Sequence, residues 1–549
     1  MSEDASSYPP IDPTNFDLIV LGTGLPESVI AAAASANGKT VLHLDPNPFY
    51  GSNYTSLSLQ DLSSFLISHS APPPSPPSAP SDGHDFTPAA LAARPLFSHV
   101  EISSFAPDVL GEEHSRKFNV DLCGPRVLFC ADKSIDLILK SGTSQYVEFK
   151  GVDASFVYNE NGKLTSVPDS RAAIFKDKSL GLTEKNQLMR FFKLVQQHLE
   201  DDGEEEGGEN ESRNSRISEQ DLESPFVEFL NKMRLPPKIK SIILYAIAMA
   251  DCDQDNVEVC EDVLKTKDGI DRLALYNSSV GRFPNALGAF LYPLYGHGEL
   301  PQAFCRRAAV KGCIHVLRMP VIAVLMDKST GHYKGVRLSS GQDLFSHQLI
   351  LDPSFMVQLP LASSPPGLGS IKRRVARGIC ITKRSLRSET SNFLVVYPPR
   401  SLFPEQVTSI RALQIGSDLA VCPLGMFVIY FSTLCHDANQ GEKLLNAAMD
   451  SLLTVPESAH PESSTTVHSE NSAEEKPTVL WKALYIQELT MDHFESISST
   501  PMPDGNLNYN NILHATLKLF QKMYPLEEVF PETASPENPE DDNEFSLES

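Results

Sequence analysis

The stretch Phe16–Glu27 constrains the fold of this chain more than any other. Its apolar run Phe16–Leu21 reads as a buried parallel strand, Gly22-Thr23-Gly24 as a tight turn, and the alanine-rich Ser28–Asn37 as the helix that follows. Lys39–Asp45 then reads as a second strand. It ends in a carboxylate 23 residues after Gly22, where a dinucleotide-binding βαβ unit holds its ribose partner. The third glycine of that motif is missing, and Glu27 stands in its place. That glycine lets helix and strand pack closely beside a pyrophosphate, and an acid at the helix N-terminus repels the phosphates. Gly22, Gly24, Glu27 and Asp45 therefore predict a Rossmann-type α/β start whose cofactor chemistry is lost.

The formal charge of −24 is concentrated rather than general. Glu200–Glu209 holds seven acids and Leu526–Ser549 nine, with no base in either, so the remaining body carries only −8. Such a body lacks the basic stripe that nucleic acid requires. The nine cysteines form no CxxC pair, which excludes a zinc ribbon and a thioredoxin motif. The first residues show no basic, apolar leader, and Ile242–Ala250 is far too short to span a bilayer. A soluble protein of a reducing compartment, the cytosol, is expected. No cysteine follows Cys435, so lipidation of the chain's own C-terminus is not expected.

The organisation expected is an α/β body interrupted by helices. Residues 1–165 form its first part, with a Pro/Ser-rich insertion at about 70–82. Residues 166–284 are an all-helical insertion with an acidic loop at about 200–218. The α/β body resumes over 285–525 with mixed strands and a polar loop at about 455–477, and 526–549 is an acidic tail. Within the insertion, Leu188, Phe191, Phe192, Val195 and Leu199 share one helical face, and Phe226, Phe229, Leu230 and Met233 another. Ile239–Met249 reads as a helix apolar nearly all round. These faces read either as a small core or as a surface and cavity for a partner or a long hydrocarbon.

The sharpest local cluster is Leu291–Arg307, where two glycines and two prolines fix a compact turn. Glu299 and Gln302 then lead a helix that brings Arg306 two turns on along the same face. One reading is a helix cap with an exposed ion-pair surface, and the other a preorganised recognition platform of aromatics, a carboxylate and an arginine. His297 reads as a turn histidine, since no nucleophile is placed near it. No GxSxG, HExxH or P-loop occurs. The basic run Lys372–Arg377, with Lys383, Arg384 and Arg387, reads as the solvated side of a strand pair. An acidic partner surface or a nuclear signal is the other reading.

Together these pieces resemble the family of Rab GDP-dissociation inhibitors and Rab escort proteins. The matching strings are Asp17–Glu27, Asn37–Asp45, Asn47–Gly51, Asn119–Leu122, Phe156–Tyr158 and Leu291–Arg306. They span most of residues 16 to 320, and the likeness weakens toward 530. Val167–Arg171, Glu184–Phe191 and Phe304–Arg306 are similar to the escort branch.

The resemblance implies an α/β, FAD/NAD(P)-binding-like GDI fold used without a cofactor or metal. It implies a non-catalytic accessory of Rab geranylgeranyltransferase. Such a protein binds unprenylated, GDP-loaded Rab GTPases and presents them to the transferase α/β heterodimer. It then carries the geranylgeranylated product from cytosol to membrane. By motif, Tyr50, Glu299 and Arg306 fall on the family's Rab-binding platform, and Val316 stands where the inhibitor branch has a methionine. The helical insertion, with Phe191, Phe192, Phe229, Leu230 and Met233, is implied to face isoprenoid and transferase. The alternatives are a recycling GDP-dissociation inhibitor and an FAD-dependent oxidoreductase.

Overall fold

The computed structural model describes residues 9–71, 86–159, 161–168, 181–201, 217–256, 260, 262–357, 373–456, 476–489 and 497–531. The expectations for the Pro-rich insertion, the acidic loop, the polar loop at 455–477 and the acidic tail lie mostly outside these residues, as do Lys372 and Asp169–Arg171.

Strand β1 (Asn15–Leu21) runs in the interior of a nine-stranded sheet. It pairs in parallel with β2 (Val41–Asp45) on one side and with Asp343–Leu351 on the other. Covered on both faces, it reads as a continuous apolar run rather than an alternating one. Helix α1 (Leu25–Ala36) makes the crossover. Its fully buried Ala31–Ala34 let it press closely on the helices Glu299–Val310 and Asn510–Met523. Beyond β2 the sheet ends in the parallel edge strand Ile314–Leu317, with His315 opposite His43 and Val316 opposite Leu44. On the far side antiparallel strands follow, from Tyr333–Leu338 to Phe355–Val357.

A second sheet of eight strands runs from Leu164–Ser166 to Phe97–Ser104, with Arg373–Thr382 between Phe427–Cys435 and Val479–Leu489. Alternation along Arg373–Thr382 sends Ala376 and Cys380 toward the helix Ala438–Leu452, and Ile379 and Ile381 toward the other core. This interior position corrects the solvated reading at Arg377, while Lys383 and Arg384 are exposed as expected. Arg377 is buried, donating to Gln487 at 2.7 Å, to the carbonyls of Cys123 and Gly124 at 2.8 and 3.0 Å, and to the Asp504 carbonyl at 2.7 Å. The charge is neutralised by aligned carbonyl dipoles rather than by water.

Every named element among the described residues from Leu182 to Ser279 is helical. The single helix expected over Ile239–Met249 is instead a short α-turn, Pro237–Ser241, that widens into a π-helix at Ile242–Ile247. Buried from Ile242 onward, the segment ends at Met249, which has a φ of 54°. Arg411 latches this layer to the second sheet by donating to Asp251 at 2.6 Å and to the Met249 carbonyl at 2.7 Å.

The layer also corrects part of the partner-facing expectation. Phe191, Phe229 and Leu230 are buried in the core that the helices share with the second sheet, and only Phe192 and Met233 lie partly exposed at its margin. The helical elements between Leu182 and Ser279, closed over one another, hide more apolar bulk than a single amphipathic layer could. Among the described residues no helix is long and apolar enough to cross a membrane. A reducing compartment implies nine thiols; the structure joins Cys252 to Cys260 in a disulfide and leaves the other seven free and buried.

Candidate functional site

The crevice at the carboxyl end of β1 is built as a nucleotide site and filled by the chain itself. Gly22, at a φ of 94°, turns so tightly that an added Cβ would sit 2.4 Å from Asp352 Cβ. Asp45, placed for a ribose, accepts instead from the Thr23 amide (2.8 Å), the Thr23 hydroxyl (2.6 Å), the Ser52 hydroxyl (2.9 Å) and the Asn47 amide (2.8 Å). Glu27 is fully buried, with its carboxyl folded back over Gly24 and hydrogen-bonded by the Thr500 hydroxyl. Burial, then the neighbouring Asp352, pushes Glu27 well above the ordinary carboxylate range. Asp352 is itself raised to about 6, first by burial. Three buried carboxyls in this crevice do not fit a pyrophosphate, so no redox step is derived from it.

This arrangement has a pH signature. An acid with a raised folded pKa holds protons that the unfolded chain has already released, so its contribution to stability falls as pH climbs from the ordinary carboxylate range through the folded pKa. Glu27→Gln, which mimics the protonated form, is expected to melt at or above the wild-type temperature at neutral pH and to lose less stability between about pH 5 and 8. Parallel melting profiles for the two proteins would show that Glu27 is not protonated in the fold.

The Leu291–Arg307 cluster is held from beneath by a buried polar lock. Asp121, in the short strand Val120–Asp121, accepts from the Ser56 hydroxyl at 2.6 Å, from the His297 amide at 2.8 Å and from the Tyr292 hydroxyl. Ser56 in turn accepts from the Gly298 amide at 2.8 Å. Gly296 and Gly298 are required here. Cβ atoms on them would meet Ser56 Oγ and Ser56 N, each at 2.6 Å. His297 is fully enclosed and donates through Nε2 to the Arg126 carbonyl at 2.8 Å; burial depresses its pKa, and it is a structural turn histidine.

Above this lock begins the platform helix, Glu299–Val310. Glu299 accepts from the Tyr295 amide at 3.0 Å, and its carboxyl is pushed up to about 7, chiefly by burial and then by Glu148. Arg306, exposed two turns on, lays its guanidinium 4.6 Å from the centre of the Tyr146 ring. Tyr50 leans edge-on toward His315 with ring centres 6.2 Å apart; burial, then Cys305 of the platform helix, keeps its hydroxyl protonated. Glu299 and Arg306 thus lie on one helix, and Tyr50 lies beside that helix at Cys305. Val316 does not join them. Alternation along the edge strand turns its side chain to the opposite face, against the cluster of Leu42 and Leu44, and His315 takes the place beside Tyr50.

Sequence reasoning missed the residues that hold this turn, Asp121 and Ser56, and those that neighbour Arg306 and Tyr50, namely Tyr146 and His315. Asp121 lies within the string Asn119–Leu122, yet nothing in its spacing pointed to a turn 171 residues away.

A nucleotide fold with a self-filled crevice and a rigid polar platform has its counterpart among known proteins. The family model for GDP dissociation inhibitor matches residues 12–86 and 83–500, and the chain belongs to that family. Within it, similarity lies with the escort proteins. The chain is 59% identical over 564 residues, 99% of each chain, to Rab escort protein 1 of Arabidopsis thaliana. It is 29% identical over 529 residues to the Rab proteins geranylgeranyltransferase component A of Drosophila melanogaster, covering 96% of this chain and 91% of that one. The fold is also that of the crystal structure of Rab GDI from Plasmodium falciparum. The TM-score is 0.67 at 20% identity, over 94% of this chain and 99% of that one.

Proposed function

We propose that this chain is an escort protein for Rab GTPases. It binds the unprenylated, GDP-loaded Rab, presents it to the geranylgeranyltransferase heterodimer in the cytosol, and conducts the lipidated product to a membrane. It has no catalytic centre of its own. The observation that carries this reading is the exposed platform clamped on the Asp121 lock, in a chain similar over its whole length to an escort protein. The platform residues Tyr50, Glu299 and Arg306 meet the GTPase. In the division favoured here, residues 1–165 and 285–525 form the platform body and 526–549 a tail. Residues 166–284 form the transferase-facing and isoprenoid-facing unit, and its half-exposed Phe192 and Met233 make the apolar contact. The oxidoreductase alternative loses its footing with the three buried carboxyls of the crevice.

The test is reconstitution. Catalytic heterodimer, Rab and geranylgeranyl diphosphate should give little transfer alone and saturable transfer when this protein is added. A protein that binds Rab but never stimulates transfer is a recycling inhibitor, and the escort reading fails. In the same assay the double variant Phe192→Ala/Met233→Ala is expected to slow transfer roughly ten-fold, as for loss of two modest interface contacts. Its Rab affinity and melting temperature should be close to wild type. Equal loss of transfer and Rab binding would remove these two residues from the transferase face.

A further inference from the structure

A separate cluster lies beside the platform, under Tyr50. The platform helix ends at Val310, and Gly312, at a φ of 93°, turns the chain back into the edge strand so that Cys313 and His315 fall on the same strand face. His315 is directly opposite His43 of β2 in the parallel register. One donor atom from each of His43, Cys313 and His315 lies within 4.8 Å of the others, and Cys313 Sγ is 3.9 Å from His315 Nε2.

His43 supplies a second, independent observation. Its Nε2 is 2.6 Å from the Gly22 carbonyl, which can only accept, so the proton sits on Nε2 and Nδ1 is a bare lone pair. That Nδ1 is buried, in a side chain of 0% exposure, and has no hydrogen-bond partner. A histidine that donates one ring N–H to a backbone carbonyl and leaves the other nitrogen free is arranged as metal-ligating histidines are.

We propose that His43, Cys313 and His315 form a zinc site at the edge of the first sheet. Two imidazoles and one thiolate are a borderline-soft set suited to Zn²⁺, with a fourth position open toward solvent past the half-exposed His315. Tetrahedral zinc with bonds of about 2.0–2.3 Å holds its ligand atoms roughly 3.3–3.8 Å apart. Donor atoms within 4.8 Å of one another must therefore draw together by at most about 1–1.5 Å. Binding releases the Cys313 thiol proton as the Zn–S bond forms, and nothing is oxidised. The bound ion would pin the edge strand to β2 beside Tyr50. The proposal does not depend on the escort reading.

The test uses the full chain, stripped with a chelator, kept reduced with a phosphine, and titrated with Co²⁺. One equivalent per chain is expected, with a near-ultraviolet thiolate-to-cobalt band and tetrahedral visible bands, both displaced by Zn²⁺. Cys313→Ser should abolish the thiolate band. His315→Ala, at a half-exposed edge position, should weaken binding at least ten-fold, and His315→Gln serves if the alanine variant melts early. Absence of the band in folded wild-type protein overturns the site. So does a band that persists unchanged in the Cys313 and His315 variants, since the metal then sits elsewhere.

Discussion

Asp121→Ala is expected to cost about 3–5 kcal/mol of stability and to abolish platform binding, because it strands several buried donors at once. The Ser56 hydroxyl, the His297 amide and the Tyr292 hydroxyl all lose their acceptor, and each unsatisfied buried group costs about 1–3 kcal/mol. Asp121→Asn supplies the control. Its amide oxygen can still accept from Ser56 and His297, while its NH₂ faces a Tyr292 oxygen able to accept, so the loss should be clearly smaller. Denaturant unfolding of the three proteins checks the ranking. If Ala and Asn unfold at the same midpoint as wild type, the lock does not hold the turn.

Arg306→Ala should weaken binding to GDP-loaded Rab tens-fold or more, with melting almost unchanged. The guanidinium is exposed, rests on Tyr146 and makes no ion pair among the described residues, so the fold does not depend on it. An interface that desolvates such a charge against an acceptor commonly loses about 2–5 kcal/mol when it is truncated. Glu299 adds a pH dependence to the same titration. With its free-state pKa raised to about 7, a partner cation that needs the ionised form binds better as pH rises through neutrality. Affinity is expected to fall roughly ten-fold from pH 8 to one unit below that pKa, and Glu299→Gln should flatten the profile. Unchanged affinity for Arg306→Ala would make it a surface charge and remove it from the platform.

Much of this was legible in local patterns. The run Phe16–Leu21, the alanine helix and the strand ending at Asp45 announce a parallel βαβ start, because a strand covered on both faces must be apolar throughout. Glu27 announces a degenerate motif, since an acid at the helix N-terminus opposes phosphate binding. The turn residues of Leu291–Gly298 mark a rigid element, for only glycine can lie against Ser56 there.

What local pattern could not carry was long-range pairing and depth. Helical periodicity marks Phe191, Phe229 and Leu230 as apolar but cannot say whether the facing layer is protein or partner; the packing of the other helices buried them. A basic run reads as solvated until its strand is found in the interior of a sheet, where Arg377 is surrounded by carbonyls. One step of strand alternation turns Val316 toward Leu42 and Leu44 and His315 toward Tyr50. Composition, periodicity and turn chemistry act within a few residues, and they established the βαβ start, the degenerate motif and the rigid turn. The Asp121 lock, the filled crevice and the His43–Cys313–His315 cluster join residues tens to hundreds of positions apart, and that proximity exists only once the sheets have formed.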